Sequence, residues 1–245
     1  MSSLIRKIAR KVVADEMPRQ GGFPGASNSF PTWVTAFDDV PAQPPRRLIE
    51  VALDATRAAL NDVSLDDLAK RPNCPDYFTI WPGEHYKLLA GLLLVLKPKV
   101  VIEIGTDTGL SAVTIKKFLP PGGKVVTFDL RPWKTVDESV LTDADFADGQ
   151  LEQRLVDLAD PKNFEANRSL LEQAEFFFVD GPKNIEYETA LMAQLATIKY
   201  TTPPIMLWDD TRLAGMVKYW RELKHPTLDL TSFGHWSGTG LLELK

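Results

Sequence analysis

The sequence of 245 residues has few of the features expected of an exported, membrane-spanning or nucleic-acid-binding protein. Its single cysteine, Cys74, excludes both an internal disulfide and a cysteine cluster for zinc. The longest apolar run, Leu88 to Leu96, is far shorter than the roughly 20 residues needed to span a bilayer. The formal net charge of −5 indicates no basic surface for nucleic acid. We therefore expect a cytoplasmic protein with no nucleic-acid partner and no stable membrane insertion.

Histidine is also scarce. The three histidines, His85, His225 and His235, have none of the short spacings typical of a histidine metal site, so we expect no such cluster. His235 lies in the segment FGHWSGTG, which could face a substrate pocket. The simpler interpretation is a histidine packed in a loop.

Residues 1–75 form an N-terminal extension without an alternation of strands and helices. Residues 1–17 have apolar side chains at helical spacing, which predicts a small amphipathic helix on the domain, on a partner subunit or on a membrane surface. Residues 18–47 are rich in proline, glycine and serine but also hold aromatic side chains, so we expect an irregular segment that packs on something. It could serve as a lid or as the contact of a homodimer. Residues 46–70 predict one or two helices.

Residues 76–245 form the second predicted domain, in which strands alternate with helices. This alternation is typical of a doubly wound α/β fold with a mostly parallel sheet, here of seven strands. A hairpin at the C-terminus would add an antiparallel strand. The predicted strands are 100–104, 124–129, 153–158, 175–180, 205–210, 228–233 and 240–244, and the predicted helices are 84–96, 110–118, 162–173, 186–200 and 213–223.

Four of the predicted strands end in acidic residues. These are Glu103, Asp129, Asp180 and the pair Asp209-Asp210. Ligands of open parallel sheets bind beyond the C-terminal ends of the strands, so these carboxylates should meet in one crevice. They would repel one another unless cations, ribose hydroxyls or an amine compensated them. Alternatively, each acid could simply cap the helix that follows it.

The turn after the first strand, EIGTDTG, differs from the dinucleotide-binding pattern. That pattern requires G-x-G-x-x-G, whereas Gly105 and Gly109 are spaced G-x-x-x-G. Asp107 in the turn would also repel a pyrophosphate. A cofactor without phosphate that carries an ammonium and a sulfonium suits this crevice better, which points to S-adenosylmethionine.

Four stretches, in this order, carry a resemblance to a known family: EIGTDTGLSA, GGKVVTFDL, FFFVDGPKNIEYE and WDDTRLAGMV. With the closing SFGHWSGTGLLEL, they make the chain from about residue 80 to the end resemble the class I S-adenosylmethionine-dependent methyltransferases. Among these it is similar to the small metal-dependent O-methyltransferases of the catechol and caffeoyl-CoA type. The resemblance implies a Rossmann-like fold for the second domain.

The resemblance also implies a set of cofactor-binding residues. Glu103, Gly105 and Gly109 would shape the turn around the methionine part, and Ser111 would lie near its carboxylate at the start of a helix. Asp129 would bind the ribose hydroxyls, and Asp157 would lie near the adenine. Asp107 would reach the ammonium group or cap the helix, and Asp180 would lie beside the cofactor.

The same resemblance implies a metal site and a catalytic base. Asp180, Asp209 and Asp210 match the three metal ligands of the family, although the last is usually asparagine there. Three carboxylates suit a hard divalent cation, most simply Mg²⁺. Lys183 matches the catalytic lysine, and a lowered pKa beside a metal and a sulfonium would let it accept a hydroxyl proton. As a residue of unknown environment, it could equally be an exposed lysine in a turn.

The function implied is methyl transfer from S-adenosylmethionine to a hydroxyl oxygen of a small molecule. Two alternatives stay open at this point. One is a metal-independent methyltransferase or a hydroxylase-like tailoring enzyme on the same fold. The other is a non-catalytic binding protein that retains the fold.

Overall fold

The computed structural model describes residues 46–245. The amphipathic helix predicted for residues 1–17 lies outside the described residues, as does almost all of the irregular segment predicted for residues 18–47. The part that is described contains seven α-helices and one seven-stranded sheet.

The strands and helices alternate along most of the described chain. The strands are β1 (Val100–Ile104), β2 (Lys124–Asp129), β3 (Leu151–Leu155), β4 (Phe176–Val179), β5 (Ile205–Asp209), β6 (Thr227–Asp229) and β7 (Thr239–Glu243). The helices are α1 (Arg46–Asn61), α2 (Tyr86–Leu96), α3 (Leu110–Phe118), α4 (Asp143–Phe146), α5 (Pro161–Leu171), α6 (Glu186–Leu195) and α7 (Ala214–Glu222).

The sheet has the order β3-β2-β1-β4-β5-β7-β6. The first five strands of this order run parallel, and β7 pairs antiparallel with both β5 and β6. The direction in which successive strands are added reverses between β1 and β4. Such a reversal opens a crevice beyond the strand ends, which is where ligands bind in folds of this kind. The predicted fold class is confirmed.

The register aligns the C-terminal ends of the central strands. Ile104 of β1 lies opposite Phe128 of β2 on one side and Val179 of β4 on the other. Val179 in turn lies opposite Trp208 of β5. Asp129, Asp180 and Asp209 directly follow Phe128, Val179 and Trp208 of this aligned row. These three acids therefore share one edge of the sheet.

Both faces of the sheet are buried, as the almost uninterrupted apolar strands require. The core on one face joins the sheet to α1, α2 and α3, and the core on the other joins it to α5 and α6. Helix α1 contributes Leu48, Ala52 and Ala55 to the first of these cores. A domain boundary after residue 75 stays a prediction, and this packing argues for grouping α1 with the later residues.

Three predicted elements differ from the observed ones by three residues or more at one end. The third strand is β3, from Leu151, and Asp157 lies beyond it because its carboxylate accepts the N–H of Ala159 in a turn. The predicted helix 186–200 ends at Leu195, where the chain changes to tighter bonds such as Ile198 N–H to the Leu195 carbonyl. The predicted strand 228–233 stops at Asp229, which accepts the N–H of Thr231.

The connection between β2 and β3 contains the short helix α4. A capping box between Thr142 and Asp145 starts this helix. In it, the side chain of Asp145 accepts the backbone N–H and the hydroxyl of Thr142. Arg71 adds a two-pronged ion pair to Asp145, at 2.7 and 2.9 Å. Among the described residues, no helix has the length and apolar character needed to cross a membrane.

Candidate active site

The turn between β1 and α3 brings its backbone close to the end of β4. Gly105 has a φ of +92°, and a Cβ at this position would overlap the carbonyl oxygen of Asp180. Gly109 has a φ of +86°, and a Cβ there would overlap the side chain of Leu141. Both glycines are therefore required by the backbone itself. The predicted turn is present, and whether it holds the methionine part of a cofactor stays a prediction.

Glu103 lies inside β1 and is fully buried. Among residues 46–245, neither of its carboxylate oxygens has a hydrogen-bond partner of good geometry, although the hydroxyls of Ser111 and Thr127 are near enough to favour ionisation slightly. Burial dominates and raises the pKa of Glu103 to about 8. Ser111, which was expected to point at a cofactor carboxylate, thus lies beside a buried protein carboxyl.

Asp129 ends β2 and organises the loops around it. One carboxylate oxygen accepts the N–H groups of Thr106 and Asp107, at 2.9 and 3.1 Å, and the other accepts those of Leu130 and Arg131, at 2.6 and 2.9 Å. Burial opposes ionisation, but these four donors outweigh it and lower the pKa of Asp129. A ribose would have to share these oxygens with the backbone.

Asp107 does not cap helix α3. The residue before that helix is Gly109, and no side chain caps it. The Asp107 carboxylate instead pairs with the guanidinium of Arg131, at 2.9 Å, and the residue has a positive φ of +38°. The capping alternative is therefore wrong, and contact with a cofactor ammonium stays a prediction.

Asp157 lies in the loop after β3, at the same edge of the sheet as the end of β2, because the two strands are parallel. Its negative charge adds to burial in raising the pKa of Tyr187, at the start of α6. A position near an adenine stays a prediction for this residue.

Asp180, Asp209 and Asp210 come together at the ends of β4 and β5. Their oxygens lie within 4.8 Å of one another, and we name these three residues the carboxylate cluster. Asp209 is buried, whereas the other two are partly exposed. Such a set of oxygens is of the kind that holds a hard divalent cation.

The ammonium of Lys183 lies inside the carboxylate cluster. It is in contact with Asp180 and lies 3.0 Å from Asp210. Burial would lower the pKa of Lys183, but the carboxylates outweigh it and raise the pKa above its ordinary value. The expectation of a lowered pKa therefore fails for this arrangement, because the neighbours of Lys183 here are anions.

The loop that presents Lys183 is fixed by Glu188 of α6. The buried carboxylate of Glu188 accepts the backbone N–H groups of Lys183 and Ile185, at 2.9 and 2.7 Å. Both of these loop residues have positive φ, +54° and +73°. Such conformations are unfavourable for residues other than glycine, and they persist only where surrounding contacts impose them.

His85 and His235 both lie beside Asp209 of the carboxylate cluster, and their spacing in the sequence did not predict this. Nδ1 of His85 lies 3.5 Å from Asp209 Oδ1, and Nδ1 of His235 lies 3.2 Å from the same oxygen. Ser237 joins Nδ1 of His235, at 2.5 Å, and also contacts Asp210. The expectation that the histidines form no metal site stays a prediction, but the fold brings His85 and His235 together at Asp209, and His235 contacts this aspartate from its loop.

The contacts between the two histidines and Asp209 favour the ionised forms of Asp209 and His235. Burial opposes ionisation of Asp209, but His85 and His235 hold the pKa of Asp209 well below its usual range. Burial also lowers the pKa of His235, and hydrogen bonds to Asp209 and Asp210 outweigh this and raise it to about 10. The signal for this network was weak in the sequence, since His85 precedes β5 by more than a hundred residues.

A cavity of about 650 Å³ adjoins the turn after β1. Its wall includes Tyr77, Tyr86, Asp107, Thr108 and Leu110. Residues on both sides of the predicted domain boundary line it, because Asn73, Cys74 and Pro75 also contribute. The size is in the range of pockets for small molecules.

Several solved structures resemble this chain. A candidate caffeoyl-CoA O-methyltransferase from Staphylococcus aureus is 13% identical, with 80% of this chain and 100% of that chain covered and a TM-score of 0.53. A methyltransferase from Geobacter sulfurreducens is 16% identical, with coverages of 82% and 99% and a TM-score of 0.49. The Bacillus cereus O-methyltransferase in complex with SAH is also 16% identical, with coverages of 83% and 93% and a TM-score of 0.45.

At these identities the Staphylococcus aureus structure supports the fold alone. No curated protein matches the chain. Residues 73–225 match the family model described as O-methyltransferase. That match contains the turn after β1, Asp129 and the whole carboxylate cluster, and it spans more than half of the sequence. The chain therefore belongs to the O-methyltransferase family.

Proposed function

We propose that this protein transfers the methyl group of S-adenosylmethionine to a hydroxyl oxygen of a small molecule, with the help of a divalent cation and Lys183. The observation that carries the proposal is the position of two features at one sheet edge. The glycine-containing turn and Asp129 lie at the ends of β1 and β2, and the carboxylate cluster with Lys183 lies at the ends of β4 and β5. Donor and acceptor would thus meet at the reversal of the strand order.

The donor fits the acidic character of the crevice. S-adenosylmethionine carries a sulfonium and an ammonium but no phosphate, so the Asp107 and Asp180 carboxylates attract it. The missing side chain of Gly105 lets the turn approach the backbone of Asp180, which brings the proposed donor site next to the carboxylate cluster. A ribose hydroxyl would donate to Asp129 by sharing carboxylate oxygens that already accept four backbone N–H groups.

The chemistry itself requires little beyond positioning. The acceptor oxygen forms a bond to the methyl carbon while the bond from that carbon to sulfur breaks, and the products are a methyl ether and S-adenosylhomocysteine. Lys183 is an ammonium in the described arrangement, so Nζ would first release a proton to solvent and would then accept the hydroxyl proton. In-line alignment of oxygen, carbon and sulfur accounts for much of the rate enhancement expected.

The carboxylate cluster fits a divalent cation by its donor chemistry, with Asp180, Asp209 and Asp210 as ligands and Mg²⁺ as the simplest candidate. A cation bound there would polarise the acceptor oxygen and would neutralise the carboxylates that now hold Lys183 in its ammonium form. Lys183 and the cation consequently compete for Asp180 and Asp210.

A metal-independent methyltransferase, or a related tailoring enzyme, is the second candidate. One observation favours it: the ammonium of Lys183 already pairs with two of the three carboxylates. Chelation distinguishes the two, because only the metal-assisted reaction would stop in EDTA and resume with Mg²⁺.

Calorimetry and a radiolabelled methyl-transfer assay test the proposal. The full chain should bind S-adenosylmethionine, and it should label compounds with vicinal hydroxyls more than compounds with one isolated hydroxyl, since two oxygens can chelate a cation. Absence of binding at millimolar S-adenosylmethionine would instead favour a non-catalytic binding protein.

Lys183→Ala tests the base. It should lower kcat by about 100-fold or more, the range of a general base, while the affinity for S-adenosylmethionine changes little. Lys218→Ala, which removes an exposed lysine of α7, is the matched control and should leave both quantities unchanged. An unaltered kcat in Lys183→Ala would remove this residue from the mechanism. A cytoplasmic location and a homodimer remain predictions.

A further inference from the structure

We propose that His85, Asp209 and His235 form a binding site for a divalent transition-metal ion such as Zn²⁺ or Co²⁺, beside the carboxylate cluster and sharing Asp209 with it. We name these three residues the histidine cluster. Its ligand atoms lie within 4.8 Å of one another. They come from the residue before α2, the end of β5 and the loop before β7, so the fold assembles them from three distant segments.

The separations of the ligand atoms fit a metal ion. Two ligands that are each about 2.1 Å from an ion, at an angle between 90° and 109°, lie about 3.0–3.4 Å apart. The Nδ1 atoms of His85 and His235 lie 3.5 and 3.2 Å from Asp209 Oδ1. Both distances from Asp209 Oδ1 are therefore close to those required, and the ligand atoms of the two histidines lie within 4.8 Å of each other.

His85 gives an independent indication of a missing ligand. Its side chain is 3% exposed, and neither ring nitrogen has a hydrogen-bond partner among the described residues. A buried polar group without a partner is costly and rare in folded proteins. The ring is held in place by Tyr86 and Phe178, whose ring centroids lie 4.4 and 5.0 Å from its own. Its Nδ1 lies at ion-pair distance from Asp209, 3.5 Å, but makes no hydrogen bond of good geometry there.

His235 has the surroundings of a metal-binding imidazole. Its Nδ1 faces Asp209, while Nε2 on the other side of the ring faces the Glu84 carboxylate at 3.8 Å. A carboxylate on the far nitrogen commonly orients a ligating histidine. Ser237 also contacts Nδ1 of His235, at 2.5 Å, so its hydroxyl would move aside or become a further ligand.

The two clusters differ in the ions they favour. The carboxylate cluster offers only oxygen and already contains the ammonium of Lys183. The histidine cluster contains no lysine among its members and offers two imidazole nitrogens, which suit Zn²⁺, Co²⁺ or Ni²⁺ better than Mg²⁺. Two imidazoles and a carboxylate also leave coordination positions open for another ligand.

Co²⁺ binding to the EDTA-treated full chain tests the proposal by its visible absorption. Co²⁺ should bind at least about tenfold more tightly than Mg²⁺, and His235→Ala should weaken Co²⁺ binding by at least about tenfold. His225→Ala is the matched control, because His225 lies apart and accepts the N–H of Lys245. It should bind Co²⁺ as the unaltered chain does.

Pulsed electron paramagnetic resonance of the Cu²⁺-loaded chain is a second test. Its first result, the detection of coordinated imidazole, is obtained on the unaltered chain. Coordinated imidazole should produce modulation from its remote ¹⁴N nucleus, and this modulation should decrease in His85→Asn. Absence of the modulation would overturn the proposal, as would Co²⁺ affinity that is insensitive to His235→Ala but abolished by Asp180→Asn.

The proposal does not rest on methyl transfer. Metal binding is measured without donor or acceptor, so a chain that methylates but shows no imidazole coordination would overturn only the histidine site. A chain that binds Co²⁺ through histidines but not S-adenosylmethionine would overturn only the proposed function.

Discussion

The buried carboxyl of Glu103 should make the stability of this protein fall as the pH rises. The pKa of Glu103 is raised from 4.5 to about 8, with burial as the main cause. The unfolded chain therefore releases this proton near pH 4.5, whereas the folded chain keeps it until about pH 8. The stabilising contribution is complete below pH 4.5 and is lost as the pH rises towards 8.

The magnitude follows from the linkage between proton binding and folding. Each pKa unit corresponds to about 1.4 kcal/mol. Relative to low pH, Glu103 reduces the free energy of unfolding by about 1 kcal/mol at pH 5 and by about 4 kcal/mol at pH 8. The difference of about 3 kcal/mol is large against a typical stability of about 5–15 kcal/mol.

Urea denaturation of the unaltered chain and of Glu103→Gln, each at pH 5, 6, 7 and 8, measures this effect. Glutamine does not ionise, so the variant should lose about 3 kcal/mol less than the unaltered chain between pH 5 and pH 8. The comparison uses the change with pH and not the stability at one pH, because a buried amide has its own cost.

Glu165→Gln, at an exposed position of α5, controls for the loss of one negative charge. If Glu103→Gln and the unaltered chain lost the same free energy between pH 5 and pH 8, Glu103 would not be held in its protonated form. The explanation from burial would then be refuted, and an unseen partner would have to stabilise the carboxylate.

Three further predictions concern other parts of the molecule. Asp129→Asn should reduce the affinity for S-adenosylmethionine by about tenfold or more in calorimetry, because the amide repels some of the N–H groups that the carboxylate now accepts. Arg71→Ala should destabilise the chain by about 3 kcal/mol in urea denaturation, since it leaves the buried Asp145 without its ion-pair partner. This loss of stability should be smaller at low pH, where Asp145 is protonated, because Arg71 helps to lower the pKa of Asp145. Gly105→Ala should abolish cofactor binding, as its Cβ would overlap a backbone carbonyl; unchanged calorimetry would contradict the described turn.

The central strands could be predicted because their signals were local and strong. VVIEI and KVVTFD are short apolar runs bounded by turn residues, and β1 and β2 have the predicted limits. The limits of β3 and α6 were wrong because they depend on other features. Strand β3 extends only as far as its pairing with β2, and α6 stops where i to i+3 bonds replace helical ones.

The carboxylate cluster could be predicted because the topology of a parallel sheet determines which residues lie close together. Once a parallel sheet is inferred, residues after neighbouring strands must share an edge, which brings Asp180 close to Asp209 although 29 positions separate them in the sequence. The histidines escape this reasoning. His85 precedes a helix and His235 lies in a hairpin loop, so neither follows a strand of the parallel part of the sheet.

The charge of Lys183 shows why a matching residue need not have the expected protonation. The resemblance implied a neutral amine, and that inference considered a metal and a sulfonium as the neighbours. The described neighbours are Asp180 and Asp210, which favour the ammonium form. Lys183 is therefore a counter-ion in the described arrangement, and the base role proposed for it requires another group to neutralise the carboxylates. Among the described residues, the four acids Glu84, Asp180, Asp209 and Asp210 lie beside the basic groups of His85, Lys183 and His235. One bound divalent ion would therefore change which of these groups keep their protons.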